Sequence, residues 1–394
     1  MAGLAFETRA IHAGAALNET AALTPPIFQS STFKLRSAAE GAGFVKESAP
    51  AEFYTRWGNP TTKQFEAVMA SLEGSEAALA FSSGMGALSA LFLSALSQGD
   101  HIVVGRSIYS AVAEMGNVFF PRFGISCTFA DAGRVEDVER ALRETTKLIH
   151  VESPTNPTLE LCDLSAIGAL GKEHGVLTSI DSTFATPVNQ RPIEHGFDIV
   201  VHAATKALGG HSDVTAGVIC ARKSLIERAW YHLKILGASL SPFESWLLLR
   251  GLKTLAVRVR EQNRSALEIA RFLEKRSEVE RVHYPGLESH PQHAIARRQM
   301  SGFGGIVSFE LKGGLRRGIR FVESLSVIQL AVSLGGVESI IQHPASMTHG
   351  TLPDEEIRKA GISPGLLRLS VGLESTRDLE ADIAKALESS AREA

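Results

Sequence analysis

Between residues 76 and 221, seven short apolar runs alternate with helical stretches: "EAALAF" (76–81), "HIVVG" (101–105), "SCTFAD" (126–131), "KLIHVES" (147–153), "VLTSID" (176–181), "DIVVHA" (198–203) and "TAGVICA" (215–221). A strand with one face in water alternates apolar and polar side chains, whereas most of these runs are nearly all apolar. They predict strands covered on both faces. The stretches between them, such as "RVEDVERALRET" and "LSAIGALGKEHG", predict the helices that cover them. The fold class is therefore α/β, with a mainly parallel sheet.

The flanks have a different texture. Residues 1–60 are rich in Pro, Ser and Thr ("TPPIFQSSTF", "SAPAEFYTRWGNPTT") and predict an irregular arm that lies on the body or on a second subunit. At 61 the pattern becomes regular, with "TTKQFEAVMASLEG" reading as an amphipathic helix stopped by Gly74. After about residue 250, a strong helix ("RSALEIARFLEKR") precedes the strand-like "VERVHYPG", "GGIVSFELKGG" and "LRLSVGLES". The expected organisation is an arm over 1–60, an α/β domain over 61–250 and a smaller α+β domain over 251–394.

Composition removes several classes of function. The 394 residues carry 40 basic and 43 acidic side chains, a formal net charge of −3, which gives no reason to expect nucleic acid or an acidic membrane as partner. No run approaches the ~20 apolar residues of a membrane span. The start, "MAGLAFETRAIHAG", has no long apolar stretch of the kind that targets secretion. Cys127, Cys162 and Cys220 are far apart and odd in number, so a reducing, cytoplasmic setting is expected. His290 and His293 in "HPQH" have no obvious further ligands, so no metal is expected.

In open α/β sheets, ligands bind beyond the carboxyl ends of the strands. Three polar signals fall there. "SSGMGA" (82–87) is a small-residue turn opening a helix, where free N–H groups can cradle a phosphate; alone it reads sooner as a tight turn. Asp181 ends "VLTSID" and alone reads as a cap. Lys206 follows "DIVVHA" among Ala, Thr and Gly, with no acidic neighbour until Asp213. A desolvated lysine is a nucleophile for Schiff-base chemistry, though one at a sheet edge can also snorkel to water. Pyridoxal 5'-phosphate (PLP) asks for all three at once: a phosphate cradle, an acidic partner for its ring nitrogen and a Schiff-base lysine.

At this point the chain resembles the trans-sulfuration family of PLP-dependent enzymes of cysteine and methionine metabolism. The resemblance rests on "YTRWGNPT" (54–61), "SSGMGA", "ESPTNPT" (152–158), "ID" (180–181), "ATKALGGHSDVTAG" (204–217), "HPASMTH" (343–349) and "LLRLSVGLE" (366–374), in order along nearly the whole chain. "RGLKTL", "HYPGLESHPQ" and "SFELKGG" make it most similar to the bacterial methionine γ-lyase type. The resemblance implies the aminotransferase-like fold (fold type I) with a seven-stranded sheet, and a homotetramer of two active dimers. It implies that Lys206 holds PLP and moves protons between substrate carbons, and that Asp181 pairs with the pyridine nitrogen. Gly84 and Met85 N–H and the Thr205 hydroxyl would bind the phosphate. Tyr109 would stack on the ring and pass a proton to the leaving group, while Tyr54 and Arg56 would reach the phosphate of a neighbouring subunit. Arg368 would hold the substrate α-carboxylate, with Asn156 and Ser333 nearby.

The implied reaction is γ-elimination from an L-amino acid whose leaving group is a thiol, as in methionine or homocysteine, or oxygen-linked, as in canavanine or an O-acylhomoserine. The alternative is a γ-replacement transferase, either an O-acylhomoserine sulfhydrylase or a cystathionine γ-synthase. A nucleotide-binding oxidoreductase using "SGMGALS" would leave Lys206 without a role. The chain departs from the family pattern at several positions. Ala203 replaces a serine that binds phosphate. Ala111 replaces the cysteine of methionine γ-lyases, and Leu233 and Lys234 replace their Lys-Asp pair. Val332 and Phe53 stand where cystathionine γ-lyases tend to carry acids. These departures bear on substrate more than on cofactor.

Overall fold

The computed structural model describes residues 3–347 and 361–391; Thr348 and His349, which end "HPASMTH", lie outside them. Each of the seven apolar runs contributes a strand to one sheet: β1 (Ala77–Phe81), β2 (His101–Gly105), β3 (Ser126–Ala130), β4 (Thr146–Glu152), β5 (Leu177–Asp181), β6 (Ile199–His202) and β7 (Gly217–Ala221), in the order β1-β7-β6-β5-β4-β2-β3. The five strands from β3 to β6 are parallel, and β7 runs antiparallel to both β6 and β1.

Alternate residues of these strands feed two cores, as double-sided burial requires. On one face Ile149, Ile180 and Val200 meet Phe65, Met69 and Leu72 of helix α1 (Pro60–Glu73). On the other, Ile102, Leu148 and Val201 meet Leu91 and Phe92 of α2 (Gly84–Ala95) and Trp230 of α3 (Lys223–Leu236). Helix α1 has sharp local reasons to begin and end: Asn59 accepts the Thr61 N–H, Pro60 occupies the first turn, and Gly74 closes the helix at φ 74°.

After helix α4 (Pro242–Leu252), helix α5 (Leu255–Glu274) serves both halves of the molecule. Its first turns bury Leu255 and Val259 in the large-sheet core. Its later turns bury Ala266, Ile269, Ala270 and Leu273 in a separate core. That second core lies on a five-stranded sheet ordered β10-β11-β12-β9-β8, from β8 (Val279–His283), β9 (Ile306–Leu311), β10 (Gln329–Leu330), β11 (Ile340–Gln342) and β12 (Leu366–Ser370). Helices α6 (Gly314–Ser324) and α7 (Thr376–Ala391) cover it with Phe321, Val322, Leu379 and Ile383. β10 and β11, at two and three residues, are too short to show periodicity in the sequence. We propose that the boundary between the two units runs through α5.

Parallel pairing places the carboxyl ends of β4, β5 and β6 side by side, which brings Glu152, Asp181 and the turn after His202 to one edge of the sheet. The second sheet presents Arg368 of β12 to the same cavity.

Candidate active site

A cavity of about 410 Å³ opens at that edge and is lined by residues of both sheets. Lys206 Nζ donates to Ser333 Oγ at 2.6 Å. Burial, and then the Arg368 guanidinium, bring the amine down to about 8, against the opposing pull of Asp181. A lysine so placed has an accessible free-base form near neutrality.

Asp181 is held at the end of β5, where one carboxylate oxygen accepts the Thr183 N–H at 2.9 Å. Burial raises its pKa, while the Thr183 bonds, His202 and Lys206 pull it back. This is a carboxylate with unspent acceptor capacity and a need for a cationic partner.

Arg368 is 5% exposed and is fixed from three sides. Nη1 donates to Asn156 Oδ1 at 2.8 Å, and Nη2 donates to Ser333 O at 2.7 Å and to Gln342 Oε1 at 2.8 Å. Its Nε is buried without a partner among the described residues. Ser333 has φ +83°, a left-handed conformation unusual for serine. Such strain persists where surrounding bonds over-determine it. Here they turn one residue toward both Lys206 and Arg368.

Ser83 caps α2 by accepting the Gly86 N–H at 3.0 Å. The first two helical N–H groups, of Gly84 and Met85, have no acceptor among the described residues, and both residues line the cavity. A Cβ on Gly84 would lie 3.0 Å from that of Ala203, so glycine keeps this floor open. Thr205 lines the same floor, but its hydroxyl is engaged. It donates to Ala216 O at 3.1 Å and accepts the Ala216 N–H at 2.9 Å, so its proton is not free for a phosphate as the resemblance implies. The backbone beside β7 needs that brace.

Tyr109 lines the cavity, 45% exposed. Tyr54 and Arg56 do not line it; the Arg56 guanidinium stands over the Tyr54 ring at 5.3 Å and donates to Lys234 O. Ala111 lies on the short helix after Tyr109 and is absent from the lining. Leu233 is buried in the large core, and the Lys234 ammonium stands 4.7 Å from the Trp57 and Trp230 rings and 5.5 Å from Tyr231. Phe53 packs on Trp57 at 5.2 Å, while Val332 reaches the cavity.

Several lining residues escaped the sequence reading, Glu152 and Thr215 among them. Glu152 accepts the Tyr109 N–H and the Asn156 N–H, each at 2.8 Å, and so seats two site residues at once. Burial and the nearby Asp181 push its pKa well up. Its signal was its position, since it ends β4 as Asp181 ends β5. Thr215 also lines the cavity, and its hydroxyl has no partner among the described residues.

Comparison with known proteins meets this geometry. The family model described as Cys/Met metabolism PLP-dependent enzyme matches residues 7–388. This chain belongs to that family. The L-methionine gamma-lyase of Pseudomonas deceptionensis is 47% identical over 98% of both chains. The O-succinylhomoserine sulfhydrylase of Pseudomonas aeruginosa is 40% identical over 98% of this chain and 96% of that one. The crystal structure of cystathionine gamma-lyase from Lactobacillus plantarum, complexed with L-serine, superposes with a TM-score of 0.92 at 40% identity, covering 99% of this chain and 100% of that one. As a Cys/Met metabolism enzyme the chain uses PLP, and the cavity fits it. Free N–H groups at Gly84 and Met85 suit the phosphate, buried Asp181 the ring nitrogen, and Lys206 the aldehyde. Among the described residues no helix is long and apolar enough to cross a membrane.

Proposed function

We propose that this enzyme expels a γ-substituent from an L-amino acid, with Lys206 moving the protons. One observation carries the reading: Lys206 Nζ and the Arg368 guanidinium both bond Ser333, through its Oγ and its carbonyl. The covalent anchor and the anion fork therefore stand one residue apart, the spacing an α-amino acid needs. Bound there, PLP supplies covalent capture of the substrate amine and an electron sink for charge at the α-carbon.

The chain's own groups supply the rest. Arg368 Nε, buried and unpartnered, joins the guanidinium edge that takes the α-carboxylate. Lys206, as free base, would remove the α-proton, hand it to the bound cofactor and, free again, take a β-proton, which lets the γ bond break. Tyr109, held by Glu152 through its N–H, places its phenol to protonate the departing group. Leu88, Ile108, Val332 and Leu334 give the cavity an apolar wall, which suits a methylthio or similar uncharged group better than the charged arm of cystathionine. The 47% identity to an L-methionine gamma-lyase supports the same reading. γ-Replacement remains the second reading, supported by the sulfhydrylase relative.

We place the enzyme in the cytoplasm as a homotetramer, with Tyr54 and Arg56 serving the cavity of a neighbouring subunit. Their position on the exterior of the arm, outside their own cavity, supports that role. Purified enzyme is incubated with L-methionine, L-homocysteine, canavanine or an O-acylhomoserine, and 2-oxo acid, ammonia and homoserine are followed. 2-Oxo acid and ammonia from at least one substrate are expected. Turnover of none refutes γ-chemistry, and product incorporating added sulfide or cysteine converts the assignment to transferase. Lys206→Ala should abolish the violet-region absorbance of the PLP-loaded protein.

A further inference from the structure

Arg258 and Gln262 lie one turn apart on α5, each 3% exposed, and neither touches the cavity's chemistry. All the hydrogen bonds of the Arg258 guanidinium among the described residues go to neutral oxygens: Nη1 to Ala207 O at 2.8 Å, Nη2 to Gly251 O at 2.8 Å and Nε to Thr254 Oγ1 at 3.2 Å. A buried guanidinium without a carboxylate is costly and calls for an explanation. The chain makes room for it: Gly210 has φ +75°, and a Cβ there would lie 2.0 Å from Arg258 Nη1. Arg258 thus grips the carbonyl of the residue directly after Lys206.

Gln262 Nε2 donates to Gly336 O at 2.8 Å and so grips the segment that carries Ser333. That segment lies against the lysine turn, since a Cβ on Gly335 would stand 2.6 Å from Ala207 N. Gly335 N–H donates to Ser370 Oγ at 2.8 Å, two residues along β12 from Arg368. One rigid helix therefore holds the lysine turn with one side chain and the segment under the guanidinium fork with the next.

We propose that Arg258 and Gln262 are positioning residues, a two-pronged ruler that sets the distance between the Lys206 amine and the Arg368 fork. The inference rests on the proposed use of that pair for the two ends of an amino acid. A ligand that must touch both ends feels an error in their separation, while a ligand that touches one does not. That separates a ruler from a merely structural contact.

The test uses PLP-loaded wild type, Gln262→Met and Arg258→Lys, with three probes: L-norleucine, pentylamine and hexanoate. Binding of norleucine and pentylamine is read by the change in violet-region absorbance, and hexanoate by competition with norleucine. With an unchanged melting temperature, the variants should bind norleucine about tenfold more weakly while the two half-ligands change by less than about twofold. Gln262→Met removes only one donor, so it decides the matter if Arg258→Lys fails to fold. Equal weakening of all three probes, or none for norleucine, overturns the ruler. Norleucine has no γ leaving group. Failure of the elimination reading alone therefore shows separately, as wild type that binds norleucine but turns over no γ-substituted amino acid.

Discussion

Ala203→Ser should make the enzyme hold PLP more tightly. The cradle offers the N–H groups of Gly84 and Met85, while the Thr205 proton is spent on Ala216 O. The Ala203 methyl already faces the first of these groups, at 3.0 Å from where a Gly84 Cβ would stand. Its own N–H is satisfied by Thr183 Oγ1 at 2.8 Å, so the substitution leaves the backbone alone. A hydroxyl at 203 adds one donor aimed at a dianion. A hydrogen bond to a charged group contributes about 1.5–3 kcal/mol, or about 10- to 150-fold in affinity. The assay is titration of apoenzyme with PLP for wild type, Ala203→Ser and Ala203→Val, the last adding bulk without a donor. Serine should tighten binding and valine weaken it. Unchanged or weaker binding by the serine variant refutes this count of phosphate donors, and shows that Thr205 releases Ala216 when phosphate arrives.

Three further perturbations test the same site. Lys206 is held near 8 rather than its ordinary 10.5, so the folded state gives up that proton earlier and apoenzyme stability should rise with pH between these values. The rate of PLP capture by apoenzyme should have its midpoint near 8, and Arg368→Gln, by removing the second-largest cause of the shift, should move it upward. Glu152→Gln keeps one acceptor for two N–H donors and should cost about 1–3 kcal/mol in chemical unfolding, with a loss of kcat as Tyr109 is unseated. Because the Glu152 pKa is raised in the folded state, its contribution is full below 4.5 and lost as pH rises; apoenzyme melting across that range should fall more steeply for wild type than for Glu152→Gln. Thr205→Val, by removing the brace on Ala216, should lower stability by about 1 kcal/mol in the same unfolding experiment.

Much of the large sheet was legible because double-sided burial leaves a coarse mark. A run such as "HIVVG" has few other uses, and the observed strand, His101–Gly105, coincides with it. The antiparallel placement of β7 between β1 and β6 left no such mark, since a fully buried antiparallel strand reads like a parallel one. β10 and β11 were invisible because two and three residues are too few to show a period.

The site divides along the same physical line. Groups whose chemistry demands an odd residue in an apolar setting, Lys206 and Asp181, stood out from their neighbours. Groups that act by bonding something else did not. Glu152 works through two N–H donors that belong to other elements, and Arg258 through a carbonyl 51 positions away. Thr205 shows the converse: its residue type matches the role the resemblance implies, while its hydroxyl is engaged with Ala216 in this structure. The Lys234 position belongs to the same class. The resemblance locates a missing Lys-Asp pair there, but only the fold shows the ammonium turned onto three aromatic rings of the arm and α3, away from the cavity. Among the described residues the substrate end is lined by apolar Val332 and Leu334, and the charged groups beside them, Lys206 on Ser333 Oγ and the Arg368 fork, are the ones proposed to serve the amino and carboxylate ends. A cavity of that kind selects by size and by the absence of charge, so a neutral γ-substituent should be preferred over a zwitterionic one.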